Sequence, residues 1–91
     1  MTRTPGTARA RRYSEILGEV LFAEFEERKI SQREVARRIG VDQATAHNYT
    51  SGKRIIPVTF VIDACEAIGA DAVIVVRQAY IQLVQEQGPP K

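Results

Sequence analysis

Apolar residues recur every three or four positions along most of this chain, which is the spacing of helices that bury one face. The pattern predicts five helices with start or stop residues at their ends. Their predicted extents are residues 14–28, 31–39, 42–50, 57–69 and 72–87. The β-branched run from Val73 to Val76 leaves open a strand that pairs across a dimer axis. We prefer a helix there, because the following residues continue with helix formers at helical spacing.

Residues 31–54 are central to the prediction, because two short helices are joined there by a tight turn. Val35, Ala36 and Ile39 give the inner face of the first helix, and Gly40 stands where that helix ends. Glycine adopts a positive φ without a steric clash, and the small Ala36 lets the two helices approach closely. These features specify a helix-turn-helix.

This segment resembles the DNA-binding domains of the Cro and phage-repressor family. The resemblance rests on Ser31, Gln32, Val35, Ala36, Ile39, Gly40, Val41, Tyr49, Ser51, Gly52 and Lys53. It implies an all-α fold of the lambda-repressor-like kind, a compact bundle of about five helices with a central helix-turn-helix. The expected function is sequence-specific regulation of transcription by a small phage or bacterial repressor. Such a protein binds a palindromic, double-stranded operator as a homodimer.

Charge is unevenly distributed, although the formal net charge is only +2. Residues 1–14 carry four Arg and no acid, whereas residues 15–27 carry five Glu and no base. Residues 28–54 carry seven basic and two acidic residues. Basic charge is therefore concentrated near the N-terminus and around the helix-turn-helix, where a polyanion such as DNA is expected to bind.

The third predicted helix is expected to place its outer side in a major groove, because Ala46 and Tyr49 must face inward. The candidate base-reading residues are Gln43, Ala44, Thr45, His47 and Asn48. Gln43 and Asn48 are the strongest candidates, since each amide can pair with adenine N6 and N7 at once. His47 is either a DNA contact or a solvated residue, and it lacks the oriented partner that a general base needs.

Phosphate contacts are expected on both sides of that helix. The candidates are Gln32, Arg33, Ser51, Lys53 and Arg54. Gln32 follows the capping residue Ser31 at a helix N-terminus, where backbone N–H groups can hold an anion. Lys53 and Arg54 follow the recognition helix, and their charges suit a phosphate clamp.

The two ends of the chain flank a helix-turn-helix domain assigned to residues 13–69. Residues 1–12 lack apolar periodicity and are predicted to be a flexible basic arm. Its arginines, which either contact DNA or solubilise the chain, are Arg3, Arg9, Arg11 and Arg12.

Residues 70–87 are predicted to mediate dimerisation, and residues 88–91 form a tail. The apolar stripe behind this prediction exceeds the needs of so small a core and consists of Val73, Val76, Tyr80, Leu83 and Val84. The alternative is an antitoxin-like protein that holds a partner through this stripe and autoregulates its operon.

Several function classes find no support in the sequence. No apolar run has membrane-spanning length and the N-terminus lacks a signal-peptide pattern, so a cytoplasmic location and no membrane partner are expected. The single Cys65 cannot form an internal disulfide, and one His leaves no metal-ligand cluster. Nucleophile, paired-carboxylate and phosphate-loop motifs are lacking. We expect no enzyme, cofactor or small-molecule substrate, and we expect double-stranded DNA and a second copy of the chain as partners.

Overall fold

A computed structural model describes residues 7–90 of the chain. Its helices are α1 (Ala8–Glu27), α2 (Gln32–Ile39), α3 (Gln43–Thr50), α4 (Val58–Ile68) and α5 (Ala72–Gln87). These residues contain no strand, so the predicted all-α bundle of five helices is confirmed. The start of α5 is helical, as preferred, and Asp71 caps it by accepting a 2.8 Å hydrogen bond from the Val73 amide.

The hydrophobic core lies where α1 packs against α3, α4 and α5, and where α2 packs against α3 and α4. Its largest fully buried side chains are Leu21, Phe25, Val35, Val61, Cys65 and Val75. Burial of each aliphatic or aromatic side chain stabilises the fold by about 1.5–3 kcal/mol. Cys65 is buried among these residues, and burial raises the pKa of its thiol. None of the helices described has the length and apolarity needed to cross a bilayer.

The start of α2 and the turn between α2 and α3 are formed by residues close to them in the sequence. Gly40 adopts a φ of 76°, and the next amide, that of Val41, donates to the Ala36 carbonyl at 3.0 Å. Ser31 caps α2 by accepting a 3.1 Å hydrogen bond from the Glu34 amide, as predicted. The spacing of Ser31 and Glu34 would also suit a capping box, but the Glu34 carboxylate instead accepts hydrogen bonds from arginines later in α2.

Helix α1 begins at Ala8, six residues before its predicted start at residue 14. Thr7 is the actual cap and accepts a 3.0 Å hydrogen bond from the Ala10 amide. Ser14 lies inside the helix and is buried, and its hydroxyl accepts a 2.9 Å hydrogen bond from the Ile56 amide. The prediction of a flexible arm is therefore wrong for residues 8–12. Residues 1–6, with Arg3, lie outside the described part of the chain.

Three side chains near the start of α1 bind the C-terminal helix, and we call this set of contacts the α1–α5 latch. Its hydrogen bonds run from Arg9 to the Gly88 carbonyl (2.9 Å), from Arg12 to the Glu86 carboxylate (2.7 and 2.8 Å) and from Tyr13 to the Val76 carbonyl (3.0 Å). The Arg12–Glu86 pair is bidentate, the geometry that aligns a guanidinium most firmly with a carboxylate. These bonds lower the pKa of Glu86. The latch fixes the first turns of α1 against α5.

Gly18 allows α1 to approach the C-terminal end of α3 very closely. A Cβ at this position would lie 2.7 Å from the Tyr49 carbonyl oxygen and 2.9 Å from the Thr50 carbonyl oxygen. Side-chain carbons are not tolerated at these distances, so the backbone of α1 or α3 would have to shift. Sequence reasoning missed this role, because a glycine inside a helical pattern indicates only a weaker helix.

Candidate nucleic-acid interface

The outer face of α3 remains accessible while its inner face is packed. Ala46 is fully buried, and the Tyr49 ring packs against Phe60 with ring centroids 4.8 Å apart. Among the predicted base-reading residues, Gln43, Ala44 and His47 are exposed, whereas Thr45 and Asn48 are half-buried. Their polar side chains form no hydrogen bond or ion pair with other described residues. The protein's own fold therefore leaves the hydrogen-bonding capacity of this face unused.

The N-terminal end of α3 is not capped in the way that its sequence would allow. Asp42 occupies the N-cap position with an extended backbone, but its carboxylate makes no capping hydrogen bond. The first N–H groups of α3 consequently have no side-chain acceptor among the described residues. These N–H groups give the helix end a partial positive charge, which lies next to Gln43 and beside the negative Asp42 carboxylate.

Gln32 is oriented by the last residue of the neighbouring helix. The Thr50 hydroxyl donates a 2.6 Å hydrogen bond to Gln32 Oε1, and Thr50 itself is buried. The bond uses the carbonyl end of the Gln32 amide, so its NH₂ group remains the donor end. Sequence analysis placed Gln32 at the start of α2 but did not pair it with Thr50, because the two residues are 18 positions apart.

Only one of the three arginines on α2 is left without an acid partner in the described structure. Arg37 and Arg38 both donate to Glu34, and Arg38 also donates to the Ala67 carbonyl at 2.9 Å. These hydrogen bonds lower the pKa of Glu34 to about 2. Arg33 is exposed, next to Gln32, and pairs with no described residue. Among these arginines, Arg33 is therefore the best placed for a phosphate.

A cleft of about 490 Å³, here called the basic cleft, separates the N-terminal turns of α1 from the loop after α3. The residues that line it include Arg11, Glu15, Tyr49, Gly52, Lys53 and Arg54. Gly52 has a φ of 84° and ends α3 in the left-handed conformation. Two predicted phosphate contacts, Lys53 and Arg54, thus share one cleft with Arg11, whereas Ser51 is exposed at the C-cap of α3.

Arg9 and Arg12 do not line this cleft. Arg9 and Arg12 belong to the α1–α5 latch, where each is hydrogen-bonded to the end of α5. Sequence reasoning treated the four arm arginines as equivalent, because it assigned no helix to residues 8–12. Once those residues are helical, neighbouring side chains point in different directions.

The predicted dimerisation stripe on α5 needs one correction. Leu83 is only 2% exposed and belongs to the core, because the face of α5 that packs inward is formed by Val75, Ala79 and Leu83. The remaining members are exposed at Val73, Val76 and Tyr80 and half-buried at Val84. An apolar groove, here called the α4–α5 groove, is lined by Val58, Val61, Ile62, Val73, Val76 and Tyr80. Sequence reasoning missed its α4 side and the exposed Ile74 and Ile81 of α5.

A family model described as helix-turn-helix matches residues 21–75, more than half of the chain. The match runs from within α1 to within α5 and includes α2, α3 and α4 completely. Regulators of this family bind DNA. Searches of curated proteins and of solved structures returned no significant match. The matched span covers the outer face of α3 and the loop that follows it, whereas the latch residues of α1 precede it.

Proposed function

Because this chain belongs to the helix-turn-helix family of the Cro and phage-repressor type, it is a DNA-binding regulator of transcription, and we propose that it binds a specific operator through α3. The observation that carries the proposal is the outer face of α3. Gln43, His47 and Asn48 have no partner among the described residues, while Ala46 anchors the opposite face in the core. A helix held in this way can enter a major groove with its polar side chains available to the bases.

The side chains of α3 have distinct capacities for base readout. Gln43 and Asn48 can each donate to adenine N7 and accept from adenine N6, a pairing that discriminates by about 1–3 kcal/mol. Ala44 offers a methyl group to a thymine C5-methyl, and Thr45 can bond a base edge or a phosphate. His47 lies one turn after Gln43 and adds a hydrogen-bonding ring on the same side.

The proposed phosphate contacts flank α3 on both sides. Gln32 and Arg33 lie at the N-terminus of α2, where the helix dipole and the NH₂ group of Gln32 favour an anion. Ser51, Lys53 and Arg54 lie beyond the C-terminus of α3. The Lys53 amide donates to no acceptor among the described residues, so it can serve a phosphate oxygen together with its ammonium group. Contacts on both sides would fix the register of α3 in the groove.

We propose that the active form is a homodimer joined through the α4–α5 groove. Val73 is 74% exposed and Val58 is 67% exposed, a large apolar area for residues that a monomer leaves in water. A second copy that covers the groove would place two α3 helices in successive major grooves, about 34 Å apart, on a palindromic operator. Occupied operator DNA would exclude RNA polymerase, so repression is the proposed outcome.

Selection of bound duplexes from a random pool tests this function. The proposal predicts enrichment of two inverted half-sites whose centres are about 10 base pairs apart, or a multiple of that spacing. Variants with substitutions on the outer face of α3 should not enrich the same sequence. A pool that yields no enriched sequence at moderate salt would contradict sequence-specific binding, and a single unpaired site would contradict the dimer.

A further inference from the structure

We infer that Arg11 completes a seat for a DNA backbone phosphate in the basic cleft, and that the α1–α5 latch positions Arg11 there. The inference rests on the proposed function and adds to it a contact from the first turns of α1. Arg11 precedes the span that matches the helix-turn-helix family model, so this contact would be an addition to the matched domain.

The charges that line the basic cleft favour an anion. Arg11 comes from α1, whereas Lys53 and Arg54 come from the loop after α3, so three cationic side chains converge from two elements. Glu15 is the acidic residue that lines the cleft, and it is engaged by Arg12, whose guanidinium donates to it at 3.0 Å. The balance inside the cleft is therefore positive, as a phosphate diester requires.

The direction of Arg11 follows from the helix geometry and from a buried hydrogen bond. Arg11 and Ser14 are three residues apart on α1, so they share one face. The Ser14 hydroxyl accepts from the Ile56 amide at 2.9 Å, and this bond ties the same face to the loop that carries Lys53. Arg11 is thus set on the side of α1 that meets the loop.

The latch residues occupy the other side of the same helical turns. Arg9 and Tyr13 each lie about 200° around the helix from Arg11, and Arg12 lies about 100° from it. All three are hydrogen-bonded to α5. With both sides of the helix held, the first turns of α1 have a fixed rotation, and this rotation keeps Arg11 in the cleft. Glu86, the partner of Arg12, therefore acts as a positioning residue for DNA binding.

Salt-dependent binding of the full chain to the selected operator and to a random duplex tests the phosphate seat. Arg11→Ala should weaken binding to both duplexes by a similar factor, roughly tenfold, and reduce the slope of log K against log salt by about one. Arg28→Gln is the matched control, since it removes the same charge about 25 Å away at the other end of α1 and should leave the slope unchanged.

A double-mutant cycle tests the positioning role. Glu86→Ala should weaken DNA binding several-fold in the wild-type background, although loss of an acid alone would strengthen it. In the Arg11→Ala background the same change should have no weakening effect, because there is no longer a side chain to position. Thermal melts check that each variant is folded.

Each unfavourable result overturns a definite part of the inference. An unchanged salt slope for Arg11→Ala, with normal binding by the wild type, would overturn the phosphate seat while leaving the proposed function intact. Equal weakening by Glu86→Ala in both backgrounds would overturn the positioning role. A wild-type chain that binds no duplex would overturn the proposed function, and the inference would fall with it.

Discussion

Two helix ends adopt the same left-handed conformation with chemically different residues. Lys29, after α1, has a φ of 57°, and Gly40, after α2, has a φ of 76°. In both places the next amide reaches back to close the helix, from Ile30 to the Phe25 carbonyl and from Val41 to the Ala36 carbonyl. A residue with a Cβ is disfavoured in this conformation by about 1 kcal/mol, so position 29 carries a strain that position 40 avoids.

Lys29→Gly should therefore stabilise the protein by about 1 kcal/mol, measured by urea denaturation. Lys29→Ala is the control, because it removes the same charge but keeps the Cβ and should give no such gain. Gly40→Ala should cost a similar amount, since no atom lies near its Cβ and only the backbone conformation opposes the change. A lower urea midpoint for Lys29→Gly than for Lys29→Ala would contradict this explanation.

For Gly18→Ala, the packing of α1 against α3 and the helix propensity of alanine predict opposite changes in stability. Propensity alone would make Gly18→Ala stabilising by about 1 kcal/mol. The Tyr49 carbonyl, 2.7 Å from the new Cβ, should instead make the variant less stable by about 1–3 kcal/mol and displace α3. The urea midpoint of the variant and its affinity for the operator should both fall. A stabilised variant with full affinity would show that α1 and α3 separate without cost.

At the level of the helices, local signals were predictable and distant ones were not. Ser31, Gly40 and Asp71 act within a few residues of their own position, so the ends of α2 and the start of α5 could be predicted. The early start of α1 depends on Thr7 and on contacts with α5. The Arg12–Glu86 pair joins residues 74 positions apart, so the hydrophobic pattern of either helix alone cannot predict it.

Helix α2 provides a pH-dependent test. The hydrogen bonds from Arg37 and Arg38 lower the pKa of Glu34 from its ordinary 4.5 to about 2 in the folded protein. Its contribution to stability is therefore present above pH 4.5 and is lost as the pH falls towards 2. We expect the urea midpoint of Glu34→Gln to fall less than that of the wild type across this interval. Parallel curves for the two proteins would show that these ion pairs do not stabilise α2.

For the whole molecule, the number and order of the helices were predictable from periodicity, but the rotation of α5 was not. Apolar residues occur almost all around this helix, so its sequence does not distinguish the inward face from the outward one. Packing against α1 buries Val75, Ala79 and Leu83. It leaves Val73 and Val76 outside, where they line the α4–α5 groove.

The proposed dimer makes a prediction about this outward face. Val73→Glu should convert the dimer to a monomer, observed by sedimentation, because an exposed position in the first turn of α5 accepts an acid without unfolding the chain. Affinity for a palindromic operator should fall by roughly 10²–10⁴, whereas affinity for a half-site should be retained. Gln78→Glu adds the same charge at an exposed site away from the groove and should remain dimeric.

Two results would contradict this dimer. Val73→Glu that sediments as a dimer would exclude the α4–α5 groove as its interface. A wild-type chain that is monomeric alone, but purifies with a second protein bound at the groove, would favour the antitoxin-like alternative.

The most direct test of the account compares binding by the wild type, Gln43→Ala and Asn48→Ala to the selected operator and to a scrambled duplex of equal length. Fluorescence anisotropy at one fixed salt concentration gives the dissociation constants. If α3 reads bases through its two amides, each variant should lose about 5- to 150-fold in affinity for the operator, with little change for the scrambled duplex. Equal losses on both duplexes, or none on either, would contradict base readout by α3.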